Sequence, residues 1–249
     1  MRVLLTTRNT DEDPHRNPIG ILDLATYLRM LGHQVDVGYV DRILSGQYNG
    51  ARYDVVGLSV LQVLEDKTPI DDSLLLQKIF KTQVVVGGKW ARNLPDHIIG
   101  EFKSNNIDVC QGAGELYFSQ TDIDFNAYPA WNNQDFESLA ETHNEVMTMR
   151  GCPFNCYFCH NTEKKLSYFS AVRTVDNIEL LRTRGQQEIF IVDDVFAANP
   201  QHMEVIYHEL TRRKLMVSNL FRFFAHISCL KAQTIGWIRK YQPSELQIG

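Results

Sequence analysis

No stretch of this 249-residue chain approaches the ~18 consecutive apolar residues that a membrane-spanning helix requires. Basic residues are not in excess: 25 Lys and Arg against 30 Asp and Glu give a net charge of -5, so the chain lacks an electrostatic footprint for nucleic acid. The opening segment MRVLLTTRNTDEDPHRN turns polar too early for the apolar core of a secretory signal peptide. Cysteine is scarce and odd in number, five in all, which predicts a reducing, cytoplasmic setting rather than a disulfide framework. Cys110 and Cys229 stand alone and read as small buried apolar residues. Apolar residues are plentiful, at 44%, enough for the cores of one large or two small domains.

Residues 1–118 alternate short Val-rich runs with amphipathic stretches. RVLLTT, QVDVGYV, DVVGLSVL, QVVVGG and DVCQG read as strands bounded by Gly or polar residues. IGILDLATYLRMLG places Ile21, Leu24, Ala25, Leu28 and Leu31 on one helical face and stops at Gly32. DDSLLLQKIFK and LPDHIIGEFKS supply further crossover helices. Near-continuous apolar strands alternating with helices predict an α/β fold with a doubly wound parallel sheet covered on both faces. Ligands of such sheets lie beyond the carboxyl ends of the strands. Those ends carry Thr6-Thr7, Ser59, Gly87-Gly88 and Gly112-Ala113-Gly114-Glu115. Glycine there suits close backbone approach to a ligand, or a tight turn and nothing more.

Residues 119–144 lose the periodicity and read as a linker packed down by Tyr128, Pro129 and Trp131. Alternation resumes over 145–249. EVMTMRG, EIFIVDD, NLFRFFAHIS and ELQIG read as strands, and TVDNIELLRTRG, PQHMEVIYHELTRRK and KAQTIGWIRKY as the helices between them. Strand–helix pairs of this kind build a parallel (βα) barrel whose active face is the carboxyl end of its strands. Asp193-Asp194 close the second strand, and His226 with Ser228 the third.

The most informative segment is MRGCPFNCYFCHN, where Cys152, Cys156 and Cys159 follow a C-x3-C-x2-C spacing. Three thiolates on one short loop can converge on a single metal centre and leave one coordination position open. A zinc site completed by His160 is the alternative, although adjacent Cys and His wrap a tetrahedron awkwardly.

With Arg150-Gly151, Pro153 and Phe158 around it, this spacing resembles that of the radical S-adenosylmethionine (SAM) superfamily. The resemblance implies that the three cysteines hold three irons of a [4Fe-4S] cluster while SAM chelates the fourth. Reductive cleavage of SAM would then yield a 5'-deoxyadenosyl radical, the electron coming from a flavodoxin- or ferredoxin-type donor. It also implies that Phe158 contacts the adenine. Asp193 and Asp194 stand where the family usually has Gly-Gly-Glu, and a carboxylate there would accept from the SAM ammonium, a charge-assisted contact. His226 and Ser228 are further cofactor-side candidates, and Arg150 could offset the cluster's charge.

The first half, with Pro18-Ile19-Gly20 opening its first helix, resembles the cobalamin-binding domain that precedes many such barrels, and IFIVDDVFAANP is similar to the matching stretch of cobalamin-dependent members. Ser59, Gly87, Gly88, Gly112 and Gly114 would then surround the cofactor's nucleotide tail. The family's Asp-x-His-x-x-Gly signature is not met: Asp13-Pro14-His15 is followed by Gly20, two residues late. The implied reaction is methyl transfer to an unactivated carbon of a small molecule, or a related radical rearrangement. An N-terminal domain without cobalamin, or a non-catalytic zinc-stabilised binding protein, remain alternatives. ELQIG reads as a fourth barrel strand where the family has six units, so a longer polypeptide, a partner chain or an incomplete SAM site is expected.

Overall fold

The computed structural model describes residues 1–8, 18–61, 69–119, 122–139, 144–157, 159 and 163–249, the side chains of 136 and 137 excepted. Two compact units emerge. Met1–Pro14, Gly20–Ile123 and Trp131–Glu141 form the first; His15–Ile19, Asp124–Ala130 and Thr142–Gly249 form the second.

In the first unit, β1 (Arg2–Thr7), β2 (Gln34–Tyr39), β3 (Val55–Ser59), β4 (Gln83–Gly87) and β5 (Ile107–Val109) form a parallel sheet in the order β2-β1-β3-β4-β5. This is the doubly wound α/β order, in which winding reverses between β1 and β3 and a crevice opens beyond their carboxyl ends. Val3, Leu4, Leu5, Val56, Leu58, Val84 and Val86 are each at most 2% exposed, as strands buried on both faces must be. The connecting helices are α1 (Ile19–Met30), α2 (Val40–Leu44), α3 (Pro69–Phe80), α4 (Asp96–Ser104), α5 (Gly114–Phe118) and α6 (Asn133–Leu139).

α1 buries Ile21, Leu22, Ala25 and Leu28. It ends at Gly32, whose φ of +83° lets the His33 N–H donate back to the Leu28 carbonyl at 3.0 Å. Leu31, expected on the same face, is instead exposed, because it lies beyond the last helical turn. The chain returns to α1 through residues 131–139. Trp131 Nε1 donates to Asp23 Oδ1 at 2.8 Å with both side chains buried, and Arg29 donates to both Asp135 oxygens at 2.6 and 2.7 Å.

The second unit reproduces the expected strand–helix alternation with one exception. EVMTMRG is not one strand but two: β6 (Glu145–Val146) joins the main sheet, whereas β7 (Met149–Arg150) pairs antiparallel with β8 (Ser167–Tyr168). The break has a local cause, since the Thr148 and Met149 amides donate to the Asp193 side chain instead of a neighbouring strand. There follow α7 (Ala171–Thr183), β9 (Ile189–Ile191), α8 (Pro200–Arg212), β10 (Phe221–Ala225), α9 (Ala232–Tyr241) and β11 (Glu245–Ile248). β6, β9, β10 and β11 form a parallel sheet in the order β11-β10-β9-β6. Helix starts follow the sequence: Ser170 caps α7, and Asn199 caps α8 ahead of Pro200. Among the described residues no helix is long and apolar enough to cross a membrane.

Candidate functional site

The cysteine loop leaves β7 through Gly151. Its φ is +92°, and a Cβ there would sit 2.1 Å from the Lys165 carbonyl oxygen. Glycine alone satisfies both constraints. Gly151→Ala should therefore lower the stability of the second unit by about 3 kcal/mol or displace the loop, read as a fall in the urea midpoint.

Past this hinge the loop is pinned through groups other than the thiols. The Cys152 N–H donates to the Glu163 carbonyl at 2.9 Å, the Cys159 N–H to the Cys156 carbonyl at 3.0 Å, and Lys164 Nζ to the Phe154 carbonyl at 2.7 Å. The Phe154 ring stacks on His226 with centroids 3.8 Å apart and planes 15° apart. Arg150, just before the hinge, lies over the Phe125 ring at 5.0 Å and the Phe169 ring at 5.7 Å.

None of the three cysteines is in a disulfide; Cys152 and Cys156 are half-buried and Cys159 is exposed, and Tyr157 between them is 99% exposed. Burial pushes the Cys152 thiol above its ordinary range against the pull of a Phe154 backbone hydrogen bond, and the acidic neighbours, Asp194 first, push it the same way as burial. A soft cation among these sulfurs reverses that preference, because the thiolate is the ligating form. In donor chemistry the set therefore fits an iron–sulfur cluster or zinc. Among the described residues, no group of three or more His, Cys, Asp or Glu side chains already stands at metal-holding spacing. Phe158, His15 and His160 lie outside the described residues.

The two aspartates at the end of β9 part company. Asp194 is exposed and its charge reaches Cys152. Asp193 is fully buried and faces inward. Its Oδ1 accepts from the Thr148 N–H at 2.7 Å and the Met149 N–H at 3.1 Å, and its Oδ2 accepts from the Thr148 hydroxyl at 2.5 Å. That hydroxyl also lies 2.9 Å from His202 Nε2 in the first turn of α8. Burial raises the Asp193 carboxyl to about 7, against the pull of the donors from Thr148 and Met149. Burial likewise lowers the His202 imidazole to about 4. Sequence reading passed over Thr148 and His202; the available signal was a lone hydroxyl inside an otherwise apolar strand run.

His226 at the end of β10 accepts from the Ser228 N–H through Nδ1 at 3.2 Å, capping the short helical turn Ile227–Cys229, while its ring braces Phe154. Ser228 itself is exposed.

In the first unit, Ser59 ends β3 and its carbonyl accepts from the Thr7 hydroxyl at 2.8 Å, across the point where the winding reverses. Gly87 closes β4. Gly88, with φ +92°, could not carry a Cβ, which would meet Val60 backbone atoms at 2.5 and 2.8 Å. A Cβ on Gly114 would meet Leu24 Cδ2 at 2.9 Å. The backbone contact and the positive φ explain Gly88 by packing within the unit, whereas the Leu24 side chain could shift to admit a Cβ at position 114. Gly112 differs: it is exposed, and nothing lies within 4 Å of where its Cβ would stand. The Thr6 hydroxyl near the carboxyl end of β1 is fully buried with no hydrogen-bond partner among the described residues. An open backbone at Gly112 and an unmatched hydroxyl at Thr6 are features that a bound ligand's polar edge would complement.

With this geometry in hand, the chain can be set beside known proteins. No protein-family model matches it. It is similar to a radical S-adenosylmethionine methyltransferase, TsrM, from Kitasatospora setae. The structure of that enzyme with tryptophan substrate and a SAM analog aligns with a TM-score of 0.73 at 15% identity, covering 100% of this chain and 59% of that one. The form with cobalamin and a [4Fe-4S] cluster aligns at 0.71 with 14% identity, covering 99% and 60%. The fold is shared. A short stretch is also 40% identical over 58 residues to an uncharacterized methyltransferase of Pyrococcus horikoshii, covering 22% of this chain and 13% of that protein. The chain spans about three fifths of the solved structures' length and a smaller share of the curated relative.

Proposed function

We propose that this chain is a radical SAM enzyme of the cobalamin-dependent kind, acting in methyl transfer to an unactivated carbon of a small molecule. The observation that carries the reading is the cysteine loop itself. Three cysteines outside any disulfide stand on one braced loop after the first strand of the parallel sheet of the second unit, with the Asp194 charge reaching Cys152. The fold shared with TsrM, whose structures hold a SAM analog, cobalamin and a [4Fe-4S] cluster, supports it.

In this reading Cys152, Cys156 and Cys159 are the three protein ligands. When bound, the cluster supplies the electron that cleaves SAM, and cobalamin carries the methyl group. The chain's own residues bind and orient. Asp194, exposed and with its charge acting on Cys152, would accept from the SAM ammonium; Asp193 would support it from inside the fold. Phe158 would lie against the adenine. His226 acts by bracing Phe154 within the loop. Ser59, Gly87, Gly88, Gly112 and Gly114 would line the cobalamin crevice, with Gly112 and the Thr6 hydroxyl making the close contacts. A flavodoxin or ferredoxin would deliver electrons, and further barrel strands would come from more of the same polypeptide or from a partner chain.

A second reading keeps the cluster and leaves the first unit without a corrinoid. It is favoured by Gly88, whose lack of a side chain is accounted for by the Val60 backbone and its own positive φ alone. Metal and corrinoid analysis of protein purified without oxygen separates the readings. About four irons and four sulfides per chain, with absorption that bleaches on reduction, are expected. A retained corrinoid supports cobalamin dependence; iron without corrinoid supports the second reading. Stoichiometric zinc with no iron would overturn both.

A further inference from the structure

We propose that Asp193, Thr148 and His202 form a positioning network that sets the entry of the cysteine loop against Asp194, so that the thiols and the exposed carboxylate hold a fixed relation. The inference rests on the reading above for what is positioned, but its geometry belongs to the chain alone. One carboxylate joins three elements. It sits at the end of β9, takes two amides and a hydroxyl from the segment between β6 and β7, and through that hydroxyl meets the first turn of α8. Thr148 lies four residues before Cys152, and Asp194 follows Asp193 directly. Any shift of β9 against the loop must therefore break this knot first.

Thr148 has one hydroxyl proton and two polar neighbours, so the chain of bonds has two complete forms. In one, Thr148 donates to the Asp193 carboxylate and His202 Nε2–H donates to Thr148. In the other, a protonated Asp193 donates to Thr148, and Thr148 donates to the bare Nε2 of His202. Asparagine at 193 reproduces the second form bond for bond: its amide N–H donates to Thr148 and its oxygen still accepts the two backbone amides. Alanine at 193, or valine at 148, leaves buried polar groups without partners.

Hydrogen exchange on the full chain, followed by mass spectrometry, tests this without metal. Asp193→Ala and Thr148→Val should raise exchange across residues 150–157 roughly tenfold or more, while α7 exchanges at its wild-type rate. Asp193→Asn should stay within about twofold of wild type, since no bond is lost. Wild-type exchange of 150–157 in Thr148→Val, or Asp193→Asn exchanging as fast as Asp193→Ala, would overturn the proposal. Should Asp193→Ala unfold, α7 exchange rises with it and Thr148→Val decides. In oxygen-free reconstituted protein, Thr148→Val should raise the KM for SAM about tenfold with kcat nearly unchanged, because ground-state placement of Asp194 is what is lost. A fall in kcat at constant KM would mark a loss of folded protein and count against positioning. If the wild type takes up no iron, the cluster reading fails, whereas the exchange result still decides the network.

Discussion

Replacing Cys152, Cys156 or Cys159 singly by Ala should reduce iron uptake on reconstitution from about four per chain to background. Reductive SAM cleavage should vanish with it. The expectation is sharp because the loop does not depend on its sulfurs for shape. Gly151 turns it, the Cys152 amide ties it to Glu163, Lys164 holds the Phe154 carbonyl, and Phe154 stacks on His226. Alanine therefore removes a ligand and leaves the scaffold, which circular dichroism and the urea midpoint would confirm. Cys110→Ala is the control: that thiol lies in the first unit, against the carbonyls of Gly112 and Ala113, and iron uptake should be unchanged. Wild-type iron content in Cys156→Ala would remove the assigned ligand set. Zinc bound stoichiometrically by the wild type, and lost in the same three variants, would convert the site to a structural one.

The second large effect concerns acid. Asp193 has its folded-state value raised to about 7 from 3.8, so the fold prefers it protonated, and that contribution is lost as pH rises from about 4 to 7. His202 is lowered to about 4 from 6.5, so the fold prefers it neutral, and that contribution is lost as pH falls from about 6.5 to 4. The two slopes oppose each other across nearly the same window. Each is worth roughly 1.4 kcal/mol per pH unit at full strength. In the wild type they cancel, and stability of the second unit should be nearly flat between about pH 4 and 6.5 as far as this pair governs it. Asp194, the like charge that helps raise Asp193, is a further ionisable neighbour of the pair, and the Tyr168 ring lies 4.7 Å from that of His202. Asp193→Asn removes one arm, so stability should fall on acidification by about 3 kcal/mol in total. His202→Gln removes the other, so stability should instead fall as pH rises through the same range. Urea midpoints at about pH 4.5, 5.5 and 6.5, inside the window in which the two slopes oppose each other, would settle the matter. Parallel slopes in both variants would sink it.

The fold was legible because its signal is periodic. RVLLTT, QVVVGG and EIFIVDD are short apolar runs between polar or glycine stops; the first two became β1 and β4 nearly residue for residue, and the third became the shorter β9, Ile189–Ile191. EVMTMRG misled for a definable reason: its apolar pattern suits one strand, but a carboxylate 45 positions away competes for the Thr148 amide. Pairing over that distance leaves no local trace. The spacing of the three cysteines can be read without a fold, since spacing is a one-dimensional property. The split between Asp193 and Asp194 was not. Two identical side chains in succession at a strand end differ only in which face they present, and that depends on the twist of β9 and on α8. His226 shows the same limit, as nothing near it in sequence announces a ring stacked on Phe154.

The bonds from Trp131 to Asp23 and from Asp135 to Arg29 span 108 and 106 positions, and they give the chain an order of assembly. As the nascent polypeptide leaves the ribosome, β1 must wait for partners on both sides, and α1 for its latch at the far end of the same unit. That latch emerges 17 to 21 residues ahead of Cys152, since Asp135 and Trp131 precede it by 152 − 135 and 152 − 131 positions. Domains that fold as units during synthesis do so from the amino end. The first unit can therefore be shut before any of the three clustered thiols is in a position to react, which keeps premature metal capture or oxidation from trapping an unfinished sheet.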